Sequence, residues 1–354
     1  MDTLTHALSG ALVARATAPS IAGERDLALR TRVAAGAVAA AFPDIDFVLG
    51  FVSPVVYLET HRGVTHSILL LPLWALLLAF AASRLARDGR GWAPWFGVCA
   101  LGIATHIAGD LITGFGTMIL APVSSARFGL GATFIIDLWF TGLIVAGLLA
   151  SVAWPRTRVP AVAATAALAG YVALQAGLKA EAERFGVEYA AAQGFDRARV
   201  EAHARPVSPF NWTVFVMHGD DIAYSHVNLR RERPNPAPGP DAGLVERLDA
   251  AYRPLRDARW EHRTRFGPTP QQQALARSAW NAHAFAFFRW FADVPAFDGL
   301  TAGSECVWFR DLRFEMPGRE ATPFRFAVCR DGPDDPWRLA TQDAGRAGAG
   351  AVRR

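Results

Sequence analysis

The amino-acid sequence predicts a mainly α-helical, polytopic membrane bundle that contains a broken or re-entrant helix and is followed by a small α+β domain. Of the 354 residues, 52% are hydrophobic and only 19% are charged, which is more apolar than a typical soluble protein. The charge is also segregated, because residues 33–178 hold 7 basic and 6 acidic residues whereas 25 basic and 23 acidic residues lie from Lys179 onward. We therefore expect a helical membrane domain over 1–178, a soluble α+β domain over 179–340 and a disordered tail over 341–354.

Several segments approach or exceed the length of about 20 apolar residues that a membrane-spanning helix needs. They are residues 33–56, 64–86, 92–120, 132–154 and 159–178. Pro43, Asp44 and Asp46 interrupt the first segment, which predicts a broken or re-entrant helix because proline removes a backbone donor. A shorter apolar helix is expected over residues 3–17.

Arginines concentrate in alternate loops between these segments. The arginine-rich loops contain Arg25, Arg30, Arg32, Arg84, Arg87, Arg90, Arg156 and Arg158, whereas the other loops hold only Arg62 and Arg127. Because short cytoplasmic loops carry the excess of basic residues, the first set is expected on the cytoplasmic side of a bacterial inner membrane. The candidate site then lies on the periplasmic side, and so does the C-terminal domain if residues 159–178 span the membrane rather than pack as a core or interfacial helix.

Strand and helix patterns alternate in the C-terminal part of the chain. Residues 212–217 and 222–229 predict a β-hairpin around a Gly-Asp-Asp turn. A threonine before a proline predicts the start of a helix over 270–290, and two further strands are expected over 306–315 and 324–329. These elements indicate a small α+β domain.

Charge, cysteine content and missing motifs exclude other classes of protein. The net charge is only +4 and the arginines are scattered, so no nucleic-acid partner is expected. Of the three cysteines, only Cys306 and Cys329 are candidates for a pair, and only in an oxidising compartment. The sequence contains no His-Glu-x-x-His helix, no Gly-x-Ser-x-Gly elbow and no Walker-type loop, which disfavours metalloproteases of that type, serine hydrolases and ATPases.

Ionisable side chains inside the apolar segments carry the functional signal, because a charge in a membrane is costly and usually functional. The candidate metal ligands are His6, Asp44, Asp46, His61, His66, His106, Asp110 and Asp137. Imidazole and carboxylate without thiolate suit zinc first, with manganese or iron as alternatives. The number of candidates exceeds the needs of one tetrahedral zinc, so one or two divalent ions are expected.

Spacing supports two of these pairs. His106 and Asp110 are four residues apart and share one face of a helix, as two ligands or a ligand and its orienting carboxylate do. The alternative is a buried histidine–aspartate hydrogen bond that holds the bundle. Asp44 and Asp46 diverge on a regular helix, but a break at Pro43 lets both carboxylates converge. The alternative is a polar turn at a helix end outside the membrane.

The segment THRGVTHS places His61, Arg62 and His66 directly before a strongly apolar run. The forked guanidinium of Arg62 suits a phosphate or a carboxylate, and we predict catalytic roles for Arg62, Asp110 and His66. The alternative is an interfacial loop whose side chains reach water.

Two further candidates have structural alternatives: His6 as a core or interfacial histidine, and Asp137 as the cap of a helix. The candidates that gather at one depth of the membrane on the predicted orientation are His61, His66, His106, Asp110, Asp137 and, if the short N-terminal helix runs inward, His6. We therefore expect one site rather than separate buried groups.

Five motifs in this order identify a family resemblance: MDTLTHALSG, FPDID, HRGVTHS, THIAGDLITGFG and FIIDLWF. About the first 150 residues resemble the YdjM-like family of bacterial inner-membrane proteins, which are described as membrane-bound, metal-dependent hydrolases. The resemblance implies Arg62 and Asp137 as accessory residues. It implies metal-binding positions at His6, Asp44, Asp46, His61, His66, His106 and Asp110. It names no substrate.

Taken together, these features predict a membrane-bound hydrolase in which metal-activated water attacks a membrane-derived substrate, a phosphoester or a lipid-linked ester. The expected partners are the lipid bilayer and a lipid-linked substrate, and the oligomeric state is not predicted. One alternative is a metal-ion or proton transporter or channel, since intramembrane acids and histidines also mark ion pathways. That alternative predicts polar residues in both halves of the bilayer, whereas these gather on one side. The other alternative is a membrane-anchored scaffold.

Overall fold

The computed structural model describes residues 1–21, 23, 26–87, 89–301, 305–319, 323–340 and 352–353. The chain forms two compact units: Met1–Lys179 with Ala204–Pro209, and Ala180–His203 with Phe210–Arg354. The predicted disordered tail, 341–354, lies outside the described residues except for positions 352 and 353.

The first unit is helical. Its helices are α1 (Thr3–Ala16), α2 (Leu29–Ala41), α3 (Pro54–Thr60), α4 (Leu71–Ala86), α5 (Ala93–Leu111), α6 (Leu138–Ala153) and the first part of α7 (Val159–Ala192). A 3₁₀ segment, Phe42–Phe51, continues directly from α2, and a 3₁₀ turn, Val64–His66, follows α3. The change from α to 3₁₀ winding lies at Phe42, directly before Pro43, but the helical stretch continues to Phe51. The sequence predicts a break here, and the structure instead has a change of winding.

Two helical stretches are long and apolar enough to cross a membrane, namely Leu29–Phe51 and Val159–Ala192. A third span results if Pro54–His66 and Leu71–Ala86, which are bent by 78° relative to each other, count as one. By length and composition, the described residues therefore contain two or three candidate spans, where the sequence predicts five segments.

Two predicted helices are shorter than expected. α5 ends at Leu111 rather than near residue 120, because the amide and the hydroxyl of Thr113 both donate to the carbonyl of Asp110. α6 begins at Leu138 rather than near residue 132, because the carboxylate of Asp137 caps it. Both ends are thus set by polar groups that satisfy helix-terminal backbone atoms.

Glycines allow α1, α2 and α5 to approach closely. A Cβ atom at Gly10 would lie 2.3 Å from the carbonyl oxygen of Gly36, and one at Gly36 would lie 2.5 Å from Cβ of Ala14. A Cβ atom at Gly102 would lie 2.8 Å from Cβ of Ala39. Small residues at helix contacts permit such packing inside membranes. This packing brings the start of α1, the end of α2 and the end of α5 together.

Among its described residues, the second unit contains two five-stranded sheets. In the first sheet, the order is β1 (Arg199–Ala204), β2 (Asn211–His218), β3 (Asp221–Asn228) and β4 (Arg253–Pro254), and β5 (Trp260–Thr264) also pairs with β3. The predicted hairpin is confirmed, since β2 and β3 pair antiparallel around Gly219, whose φ of 63° favours glycine.

In the second sheet, the order is β10 (Val352–Arg353), β6 (Pro295–Thr301), β7 (Glu305–Asp311), β8 (Arg325–Arg330) and β9 (Arg338–Leu339). Cys306 and Cys329 are opposite each other on β7 and β8 and form a disulfide. The predicted strand over 306–315 ends at Asp311, whose side chain caps the 3₁₀ turn Leu312–Phe314.

Besides the end of α7, the described helices of the second unit are α8 (Leu244–Asp249), α9 (Pro270–Asn281) and α10 (Ala286–Phe291). The predicted start of α9 is confirmed by a capping box between Thr269 and Gln272. The predicted single helix over 270–290 is instead broken, because the guanidinium of Arg289 donates to the carbonyls of Trp280 and Ala282 and satisfies the end of α9.

Candidate metal centre

Two buried imidazoles face each other in the first unit. The Nε2 atoms of His66 and His106 lie 2.9 Å apart. Nδ1 of His106 is 2.6 Å from the carbonyl oxygen of Ala40, which accepts only, so the neutral ring keeps its proton on Nδ1. Nδ1 of His66 lies 2.9 Å from the hydroxyl of Thr65, whose own hydrogen is directed at Asp46. When both rings are neutral in this way, both Nε2 atoms present a lone pair, and the two lone pairs repel unless a proton or a metal cation lies between them.

Two carboxylates complete this group. Oδ2 of Asp110 lies 3.2 Å from Nε2 of His66 and 3.4 Å from Nε2 of His106. Oδ1 of Asp44 lies 3.7 Å and 3.6 Å from the same two atoms. We call Asp44, His66, His106 and Asp110 the four-donor cluster, whose donor atoms all lie within 4.8 Å of one another. Ligands of a tetrahedral zinc ion are about 3.3 Å apart at bond lengths near 2.0–2.1 Å, so these residues fit a small divalent cation.

The four-donor cluster is excluded from solvent. His66, His106 and Asp110 are 0% exposed and Asp44 is 9% exposed. Within the part of the chain that the structure describes, Oδ2 of Asp110 receives no hydrogen bond. An unsatisfied buried polar atom costs about 1–3 kcal/mol. A cation held by this oxygen would remove that cost.

Asp46 and His61 lie beside the four-donor cluster. Asp46 accepts hydrogen bonds from Nδ1 of His61 at 2.8 Å, from the amide of Arg62 at 3.0 Å and from the hydroxyl of Thr65 at 3.3 Å. His61 also stacks on Tyr57, with 4.5 Å between ring centroids. Asp46 thus accepts hydrogen bonds that stabilise the turn before His66, and His61 is one of the donors.

His6 and Arg62 contact the outer side of Asp110. Oδ1 of Asp110 lies 3.1 Å from Nε2 of His6 and 2.9 Å from the guanidinium of Arg62, and it also contacts the amino group of Met1. The ring of His6 stacks on that of His106 with 3.6 Å between centroids. Arg62 is only 2% exposed, so its placement on Asp110 differs from the expected role facing a substrate.

Asp137 occupies a different environment. Its carboxylate accepts hydrogen bonds from the amides of Trp139 and Phe140 and from the hydroxyl of Tyr171. Among the described residues it is not part of the four-donor cluster. Asp137 thus caps α6, as the structural alternative expects, and its role as a metal ligand stays a prediction. An aspartate directly before an apolar helical run is the sequence signal for such a cap.

Sequence reasoning missed the groups that orient the four-donor cluster. The hydroxyl of Thr3 donates to Oδ2 of Asp44 at 2.6 Å, and that of Thr113 accepts from Arg62 at 2.9 Å. A threonine adjacent to a candidate histidine is a usable signal for Thr65. The partner of His106 is a backbone carbonyl, for which no side-chain signal exists.

A sequence model of the YdjM inner membrane protein family matches residues 1–182, just over half of the chain. The chain belongs to the YdjM inner membrane protein family. This confirms the resemblance, and the four-donor cluster of this YdjM family protein lies inside the matched range. The uncharacterized protein YfhP of Bacillus subtilis (strain 168) is 29% identical over 132 residues, or 37% of this chain and 40% of the relative. The chain therefore covers about two fifths of that relative's length, and no solved structure matches it.

Proposed function

We propose that this YdjM family protein is a multi-pass, metal-dependent hydrolase of the bacterial inner membrane. The observation that carries the proposal is the pair of Nε2 atoms 2.9 Å apart, each on a ring whose other nitrogen has a partner, with two carboxylates around them. Two nitrogens and two oxygens without sulfur favour zinc, with manganese or iron as alternatives. The four-donor cluster accounts for one ion.

The chain's own residues would hold and orient the site. When bound, the cation supplies a Lewis acid that activates water and stabilises negative charge on a phosphoryl or acyl oxygen. The carbonyl of Ala40 directs Nε2 of His106 inward, and Thr65 does the same for His66. Such outer contacts fix the tautomer and orientation of metal-binding histidines. The catalytic roles of His66 and Asp110 are then exerted through the cation.

Exposed apolar side chains next to the carboxylates support a membrane-derived substrate. Ile45, between Asp44 and Asp46, is 52% exposed, and Phe47 and Phe51 are 56% and 86% exposed. In a membrane protein, such side chains contact lipid tails. The ester of a lipid, a phosphoester or a lipid-linked ester, would reach the site from this side.

The proposed topology has a membrane domain over residues 1–178 and a soluble domain over 179–340, with the site and the soluble domain facing the periplasm. The alternating arginine-rich loops support this orientation, and so does the disulfide between Cys306 and Cys329, because disulfides persist in oxidising compartments. A C-terminal alkaline phosphatase fusion should be active and a C-terminal green fluorescent protein fusion dark. The reverse result would contradict the orientation.

The test of the proposed function starts from protein purified in mild detergent without chelator. Elemental mass spectrometry should find one zinc, manganese or iron ion per chain, and the metal-loaded protein should hydrolyse phosphoesters or lipid-linked esters. The double variant His106→Ala/Asp110→Ala should lose both, whereas His262→Ala, which removes an exposed histidine of β5, should keep both. Hydrolysis that survives in the double variant would refute the mechanism. Wild-type protein that stays metal-free after incubation with zinc and manganese would favour the scaffold, and metal flux into vesicles would favour the transporter.

A further inference from the structure

We infer that Arg62 is a positioning residue that makes Asp110 bind the metal through one oxygen only, an inference that rests on the proposed metal site. The two oxygens of Asp110 have opposite surroundings. Oδ1 lies 2.9 Å from the guanidinium of Arg62 and 3.1 Å from Nε2 of His6, and it also contacts the amino group of Met1. Oδ2 faces the Nε2 atoms of His66 and His106 at 3.2 Å and 3.4 Å. Because the donors occupy Oδ1, Oδ2 is the oxygen directed at the cation.

The guanidinium of Arg62 is held in a fixed orientation. One terminal nitrogen lies on Asp110, and the other donates to the hydroxyl of Thr113 at 2.9 Å. The guanidinium carbon lies 4.9 Å from the centroid of the Phe115 ring. A planar fork serves two acceptors in this way, whereas the ammonium of lysine is a single point charge.

The backbone conformation of Arg62 also directs its side chain toward Asp110. Arg62 has φ of 60°, in the left-handed region that favours glycine and that strains other residues. Its amide donates to Asp46 at 3.0 Å, and its carbonyl accepts from the amide of Met118 at 2.8 Å. Two hydrogen bonds thus hold the conformation that directs this side chain to Asp110.

Arg127 provides a matched control. Its guanidinium also lies over the Phe115 ring, at 5.1 Å from the centroid, but it donates to the carbonyl of Phe115 rather than to Asp110. Arg127→Gln therefore removes a cation from the same ring without removing the group that orients Asp110. It separates the loss of an arginine–aromatic contact from the loss of the positioning contact.

The experiment compares wild type, Arg62→Gln, Arg62→Lys and Arg127→Gln as full-length proteins in detergent. The Kd for zinc is measured by competition with a chromophoric chelator, and the visible spectrum is recorded after loading with Co²⁺. Arg62→Gln should raise the Kd by about 10–100-fold, the usual effect of losing an outer partner of a ligand, and should change the Co²⁺ spectrum. Arg62→Lys should recover only part of the affinity, and Arg127→Gln should match wild type.

Each other outcome overturns a defined part of this inference. If wild type binds zinc and both Arg62 variants keep its Kd and its Co²⁺ spectrum, Arg62 does not position Asp110, although the metal site stands. If wild type binds neither ion, the metal site and the role of Arg62 fail together. Should Arg62→Gln not fold, Arg62→Lys keeps the buried charge and decides the question through the Co²⁺ spectrum.

Discussion

Both units bury an aspartate beside an arginine, but only one of the two aspartates has an unsatisfied oxygen. Asp311 in the second unit and Asp110 in the first are each 0% exposed. The guanidinium of Arg313 contacts both oxygens of Asp311, and the amide of Asp293 donates to one of them. At Asp110 the arginine reaches Oδ1 alone. The difference is in hydrogen-bond satisfaction rather than in burial.

Asp298 in the second unit differs from Asp110 in the same way as Asp311 does. The two oxygens of Asp298 are each paired with an arginine, Arg310 on one and Arg325 on the other. Burial lowers the pKa of Arg313, but Asp311 and Asp293 beside it raise that pKa above its ordinary value. Asp311 and Asp298 thus have a donor on each carboxylate oxygen. A buried charged group indicates a ligand site only where several ligand atoms lie close together and at least one of them has no hydrogen-bond partner.

The largest expected effect is on metal binding in the first unit. His106→Ala removes a donor atom of the four-donor cluster, so we expect a loss of zinc affinity greater than the roughly 100-fold that losing an outer partner causes. Competition with a chelator measures the effect, with His262→Ala as the control. Unchanged zinc affinity in His106→Ala would show that the four-donor cluster does not bind zinc. Asp110 would then be a structural group, as Asp311 is.

In the second unit the same kind of change should affect stability alone. Asp311→Ala removes the buried carboxylate from Arg313, which keeps its contact with the more exposed Asp293, and should cost up to about 3–5 kcal/mol, while the metal content per chain stays at the wild-type value. Denaturation in detergent followed by tryptophan fluorescence measures the change. Asp257→Ala is the control, because its ion pair with Arg256 is exposed and should contribute about 0–1 kcal/mol. Loss of metal in Asp311→Ala would show that the two units are not independent in this respect.

Helix packing connects the fold of the first unit to its site. Gly36→Ala places a methyl group 2.5 Å from Cβ of Ala14, and overpacking of this kind costs about 1–3 kcal/mol. Because α2 carries the carbonyl of Ala40, zinc affinity should fall as well. Gly97→Ala is the control, since nothing lies within 4 Å of its added Cβ. Equal stability and affinity in both variants would argue against the close helix contact.

The smallest effect is expected at Asp137. Asp137→Ala removes the cap of α6 and should lower the free energy of unfolding by about 1 kcal/mol, whereas Asp137→Asn should retain most of it. Neither change should alter the metal content. A metal-free Asp137→Ala protein that remains folded would restore Asp137 as a ligand.

Periodicity and breaks in periodicity predicted part of this site. Four-residue spacing placed His106 and Asp110 on one helix face, and both belong to the four-donor cluster. Pro43 lies in the 3₁₀ segment that carries Asp44 to them, so its sequence signal located a change of helix winding. The start of α9 after Thr269 and the β2–β3 hairpin were also predicted, because helix starts and tight turns depend on neighbouring residues.

Tertiary partners explain what sequence reasoning could not separate. Asp46 has the same residue type and setting as Asp44, yet it bonds the turn before His66. The direction of Arg62 depends on its φ of 60°, which no residue pattern predicts. The break between α9 and α10 depends on Arg289, seven residues beyond the carbonyl of Ala282 that it contacts.

The most direct test of the metal centre is X-ray absorption at the zinc edge, on wild-type protein purified without chelator and supplied with one zinc per chain. The four-donor cluster predicts nitrogen and oxygen neighbours at about 2.0–2.1 Å, outer scattering from two imidazole rings and no sulfur neighbour. A protein that retains no zinc, or zinc with sulfur neighbours or without imidazole scattering, would contradict the account.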